Sequence, residues 1–140
     1  MTLPDVNVLI YAFRPDTSPH AASHRWLTDL ARSGVEFGVS KLVLSAVVRI
    51  TTNPRLHRVP STRRDAFAFC GAILAQPRCL AIEPGPGHWD IFRRLCDETD
   101  TVGAGTSDAW HAALAIEHDC EWVTYDRDFA RFPGLRWRTP

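Results

Sequence analysis

Brief apolar segments bounded by turn residues alternate along the chain with longer segments whose apolar residues recur at helical spacing. The brief ones cover residues 3–6, 35–40 ("VEFGVS"), 79–84 ("CLAIEP"), 120–126 ("CEWVTYD") and, as a last strand, 135–139. Between them "NVLIYAFR" runs on from the first strand as a short helix. "SPHAASHRWLTDLARSG" has a Ser-Pro start and a glycine stop. "KLVLSAVVRITT" ends at the breaker Asn53-Pro54, and "STRRDAFAFCGAILAQP" begins with a Ser cap. "GPGHWDIFRRLCDETD" and "SDAWHAALAIEHD" supply two more helices, separated by a loop, and "RDFARFPG" a short helical turn. Strands alternating with helices pair in parallel, with helices covering both faces of the sheet. The chain is therefore predicted to be α/β: a three-layer α/β/α sandwich on a short, mainly parallel sheet. Residues 1–140 make one domain, long enough for a sizeable core.

In such sheets, sites form at the carboxyl ends of the strands. The polar residues predicted there are Asp5 with Asn7, then Asp126 with Asp128, with Asp108 opening the helix before the fourth strand. Each has a local explanation as a turn residue, a helix cap or a first-turn acid. Asp5 is the strangest of them, set in the apolar run "LPDVNVLIYA", where an unpaired carboxylate costs several kcal/mol or more. All three acids fall on the one edge where the architecture places a site. Small residues after Asp108 (Ala109, Ala112, Ala113, Ala115) let that helix approach the sheet closely. Converging carboxylates repel one another, and a hard divalent cation relieves the repulsion. Oxygen-only ligands suit Mg²⁺ or Mn²⁺.

Composition narrows the alternatives. The formal charge is zero, which argues against holding nucleic acid by net field. Of 16 basic residues only Lys41 is lysine, and arginine's flat fork suits carboxylates and phosphates. Four scattered cysteines without a C-x-x-C pair read as free thiols in a reducing cytoplasm. No run approaches the ~20 apolar residues of a membrane helix, so no membrane role is expected. There is no glycine-rich dinucleotide or nucleotide motif. His20 and His24 lack a third ligand, and His111 lacks a nucleophile motif. The five tryptophans fall mostly at core positions, Trp89 and Trp137 least clearly.

"PDVNVLIYAF" near the start and "SDAWHAALAIEHDCEWVTYDRDFARFPGLRW" near the end resemble the PIN-domain ribonucleases, in particular toxins of the VapC type. The likeness extends over nearly the whole chain in element order. It implies divalent-metal-dependent cleavage of RNA, a homodimer, and neutralisation by a cognate antitoxin protein. It also implies roles. Asp5 matches the first metal-binding acid and Asn7 its companion. Asp108 matches the acid of the late helix, Asp126 the acid after the last long strand, Thr124 the hydroxyl before it, and Asp128 an auxiliary acid. Asp5, Asp108 and Asp126 are thereby the expected catalytic and metal-binding residues.

One departure stands out. The family's usual glutamate in the helix after the second strand is replaced by Ala46, and no acid lies between Glu36 and Asp65. Two expectations follow. The leading one is a Mg²⁺-dependent ribonuclease with one acid fewer than usual. The other is a PIN-fold module that binds RNA or protein with weakened catalysis. Arg49, Arg55 and Arg58 are candidates for meeting the RNA backbone, or else solvated surface charges.

Overall fold

The computed structural model describes residues 1–140. Five strands, β1 (Thr2–Pro4), β2 (Phe37–Val39), β3 (Cys79–Ala81), β4 (Glu121–Val123) and β5 (Trp137–Arg138), pair in the order β3-β2-β1-β4-β5, every pair parallel. The helices are α1 (Val6–Phe13), α2 (His20–Arg32), α3 (Lys41–Thr51), α4 (Arg63–Leu74), α5 (His88–Thr99) and α6 (Gly105–Glu117). A 3-10 turn, Arg127–Arg131, links β4 to β5. α1 packs on α2 and α3, α3 on α4, and α5 on α6, and all contribute to one apolar core.

The strand order carries the consequence for function. β1 to β3 wind outward on one side of β1, and the chain then crosses to β4 on the other side. The winding reverses between β1 and β4, and at that point a crevice opens beyond the carboxyl ends. The register aligns Pro4 with Val123, and the Asp5 N–H donates to the Val123 carbonyl at 2.9 Å. The residues just past the two strands, Asp5 and Thr124, therefore leave the sheet side by side.

Core packing explains why the strands hold so close. Leu3, Phe37, Val39 and Trp122 are fully buried, as are Ala109, Ala112, Ala113 and Ala115 of α6. Gly38 is required by contact: a Cβ there would lie 2.6 Å from Ile82 Cγ1 and 3.2 Å from Leu3 Cδ1. Apolar burial of this kind stabilises by roughly 25 cal/mol per Å².

Several local expectations are corrected. The cap of α4 is Thr62, whose hydroxyl accepts from the Asp65 N–H at 3.1 Å. Ser61 instead accepts from Arg14, whose guanidinium also holds Asp16 and the Val59 carbonyl. That buried arginine straps the end of α1 to the loop before α4. The third strand is not buried: as the sheet's edge strand it leaves Leu80 and Ala81 exposed. α6 starts at Gly105, so Asp108 lies within its first turn and does not open it. Trp89 is 63% exposed, whereas Trp122 is packed in the core. No helix is long and apolar enough to cross a membrane.

Candidate active site

Asp5 is 5% exposed and caps α1 from an extended backbone, φ −76° and ψ 161°. Three donors converge on its carboxylate. The Val6 N–H reaches Oδ1 at 2.6 Å, Asn7 Nδ2 reaches Oδ2 at 2.9 Å, and the Thr124 hydroxyl reaches Oδ2 at 2.6 Å. A protonated carboxyl would have to turn its own hydrogen toward one of these donors, so the hydrogen bonding is built for the anion. Burial opposes it. Desolvation, reinforced by the negative charges of Asp108 and Asp126, outweighs the donors and pushes the Asp5 pKa up to about 6.

Thr124 is the hub of this network. Fully buried, its Oγ1 donates to Asp5 while accepting from Asn7 Nδ2 at 3.0 Å and from the Asp126 N–H at 3.0 Å. Asn7 Oδ1 in turn accepts from the Tyr125 N–H at 3.2 Å. One hydroxyl thus ties the end of β1 to the turn after β4. Asp126 then caps the 3-10 turn through the Asp128 N–H at 2.8 Å. Asp128 itself is exposed, yet its charge acts on Asp108.

Asp108 is held from the other side. Its carboxylate pKa is raised, chiefly by burial, and further by Asp126 and Asp128; Arg131 opposes the rise. Arg131 Nη2 donates to Asp108 Oδ2 at 3.1 Å. Arg131 is the site residue that the sequence reading missed. It lies 23 positions from its partner, and only the 3-10 turn brings it back.

Asp5, Asp108 and Asp126 are therefore close enough to perturb one another at the switch point, with Asn7, Thr124 and Asp128 attached. They do not converge on a single point, for no three carboxylate, imidazole or thiolate groups of the chain are gathered as a metal cage. The donor chemistry nevertheless fits a hard divalent cation. The candidate donors are all carboxylates, Arg131 is the one cation paired with them, and their mutual repulsion is what a cation relieves. His111, three residues after Asp108, is no part of this. It is buried and stacked on Trp122 with ring centroids 5.5 Å apart, and burial pushes its pKa down to about 4. Arg49, Arg55 and Arg58 are exposed, and their guanidinium groups hold no hydrogen bond or ion pair within the chain. Ala46 is half-buried in α3.

A wholly parallel sheet with carboxylates clustered at its reversal point is the architecture of a PIN domain, and the PIN domain family model matches residues 2–135. The chain belongs to that family. Among curated relatives, Ribonuclease VapC25 of Mycobacterium tuberculosis is 45% identical over 140 residues, covering 100% of this chain and 99% of its own. Among solved structures, VapBC2 from Rickettsia felis, bound to a DNA fragment from its promoter, shares the fold. It has a TM-score of 0.72 at 16% identity, with 99% of this chain and 97% of that one covered. A toxin–antitoxin complex from Klebsiella pneumoniae has a TM-score of 0.61 at 20% identity, covering 96% and 95%.

Proposed function

We propose that this protein is a Mg²⁺-dependent ribonuclease, the toxin of a toxin–antitoxin pair, acting in the cytoplasm and silenced by a cognate antitoxin. The observation that carries the reading is Asp5: a buried carboxylate met only by donors, beside two further acids at the sheet's reversal point. Capping α1 uses the carboxylate but does not call for two more acids beside it, and a cation accounts for all three. The full-length likeness to a relative named a ribonuclease supports the substrate class. The likeness to a toxin–antitoxin complex supports the partner.

Asp5, Asp108 and Asp126 would hold the cation, Mg²⁺ or Mn²⁺. When bound, such an ion neutralises a phosphodiester's nonbridging oxygens and lowers the pKa of the attacking water. The chain's own contribution is to fix geometry. Thr124 and Asn7 hold the Asp5 carboxylate against rotation, and the Thr124 hydroxyl also anchors the backbone that presents Asp126. Hydrolysis would leave a 5′-phosphate and a 3′-hydroxyl. A second copy would cover the exposed Leu42, Phe67 and Leu74 of α3 and α4, which makes a homodimer the expected assembly. Light scattering should then give about twice the 15.7 kDa of one chain.

Incubating the purified protein with RNA and Mg²⁺ should cleave it, and EDTA should stop the reaction until Mg²⁺ is restored. Cleavage that persists in EDTA refutes the reading. Ala46 favours one rival, a binding module, for which RNA would be bound but left intact whatever the Mg²⁺ concentration.

A further inference from the structure

Arg131 does more than neutralise Asp108. Its guanidinium carries five N–H donors, and only one of its nitrogens, Nη2, is engaged within the chain, on Asp108. The group lies over the Phe132 ring, 4.6 Å from its centroid, and against the first turn of α6, 3.4 Å from where a Cβ on Gly105 would stand. It is thus held on two sides while Nη1 and Nε have no partner in the protein. Both members of the pair are about one-third exposed, at 32% and 35%. Pairs so exposed contribute little to stability, so holding the fold together is a poor account of this arginine.

Charge supplies a better one. An RNA backbone approaching Asp5, Asp108 and Asp126 meets like charge at each. The other cations in ion pairs (Arg14, Lys41, Arg94, Arg136, Arg138) are bound to acids outside this group. Arg131 is the one arginine ion-paired to a carboxylate of the site, and it keeps donors to spare; a guanidinium matches the geometry of a phosphate.

Resting on the ribonuclease reading, we propose that Arg131 is the residue that binds the substrate phosphate. It keeps Nη2 on Asp108 and directs its remaining N–H groups to a nonbridging oxygen of the RNA backbone. Arg131 would then couple substrate to site. The guanidinium that draws in the phosphate is also the one that orients Asp108.

The test is binding, separate from turnover. A labelled single-stranded RNA is titrated with wild type, Arg131→Gln and Arg131→Lys in EDTA at increasing salt, with anisotropy as the readout. Loss of one charge-assisted contact should weaken binding on the order of tenfold, and should flatten the salt slope by about 0.7, the value for one phosphate on a single strand. Arg131→Lys should restore the slope and only part of the affinity. A residue that merely positions Asp108 would leave the slope unchanged, so an Arg131→Gln protein with wild-type slope and affinity overturns the proposal. Should Arg131→Gln fail to fold, Asp108→Asn/Arg131→Gln compared with Asp108→Asn supplies the same slope difference, with no carboxylate left unpaired. Wild-type protein that neither binds RNA nor cleaves it with Mg²⁺ brings down the ribonuclease reading as well. Wild-type protein that does both, beside an unaltered Arg131→Gln slope, brings down this inference alone.

Discussion

Chemical denaturation of the metal-free protein across pH isolates what it costs to keep Asp5 charged inside the fold. The folded carboxyl titrates near 6, against 3.8 for the ordinary group. Between those values the folded protein holds a proton that the unfolded chain has released. The stability contributed by Asp5 is therefore full at low pH and lost as pH rises through about 6. The whole loss is about 3 kcal/mol, of which a little under half falls between pH ~5 and pH ~7. Asp5→Ala removes the titrating group together with the three hydrogen bonds it accepts from Val6, Asn7 and Thr124, and their loss is a constant offset. The assay is the difference between wild-type and Asp5→Ala unfolding free energies, measured in EDTA at a series of pH values. That difference should shift against the wild type by the stated amount as pH rises. Saturating Mg²⁺ at neutral pH should recover stability in the wild type and not in the variant, because ligand bound only by the folded state stabilises it. A difference that stays flat with pH would mean that Asp5 is not a buried, desolvated acid. The argument for a cation there would then collapse.

Three further predictions can be checked with the same protein. Asp108→Asn and Asp126→Asn should each abolish Mg²⁺-dependent RNA cleavage while leaving the circular dichroism spectrum unchanged; a variant that cleaves at the wild-type rate removes its residue from the site. Thr124→Val keeps the shape but strips the bridge among Asp5, Asn7 and the Asp126 N–H, so denaturation should show a loss of roughly 1–3 kcal/mol, with kcat falling more than KM rises. Ala46→Glu should tighten Mg²⁺ binding by calorimetry and raise cleavage at low Mg²⁺, because affinity follows ligand charge. If it gains nothing while Asp128→Asn loses activity, Asp128 has taken the missing acid's role.

How much of this was legible in the residues varies with the range of the interaction. Strand and helix alternation is local, written in periodicity and breakers, and it was enough for a parallel sheet and for naming its carboxyl edge as the place to look. Asp5 could be picked out because an acid within "LPDVNVLIYA" contradicts its apolar surroundings. Smaller errors came from neighbouring residues of like chemistry. Ser61 and Thr62 are both capping residues, and Thr62 caps the helix while the Ser61 hydroxyl accepts from Arg14. The burial of the third strand was misjudged because nothing in "CLAIEP" says which strand ends at the sheet's edge.

The sequence by itself determined the fold class, the candidate carboxylates and the cation chemistry such groups prefer, since all three depend on residue type and short-range pattern. Only the tertiary structure decided what joins them. Strand order put the winding reversal between β1 and β4, and register set Thr124 beside Asp5 across 119 positions. The 3-10 turn returned Arg131 to Asp108. The acidity of Asp5 belongs there too. Desolvation and neighbouring charge act through space and not along the chain, so a pKa near 6 exists only once the fold has closed around the carboxylate.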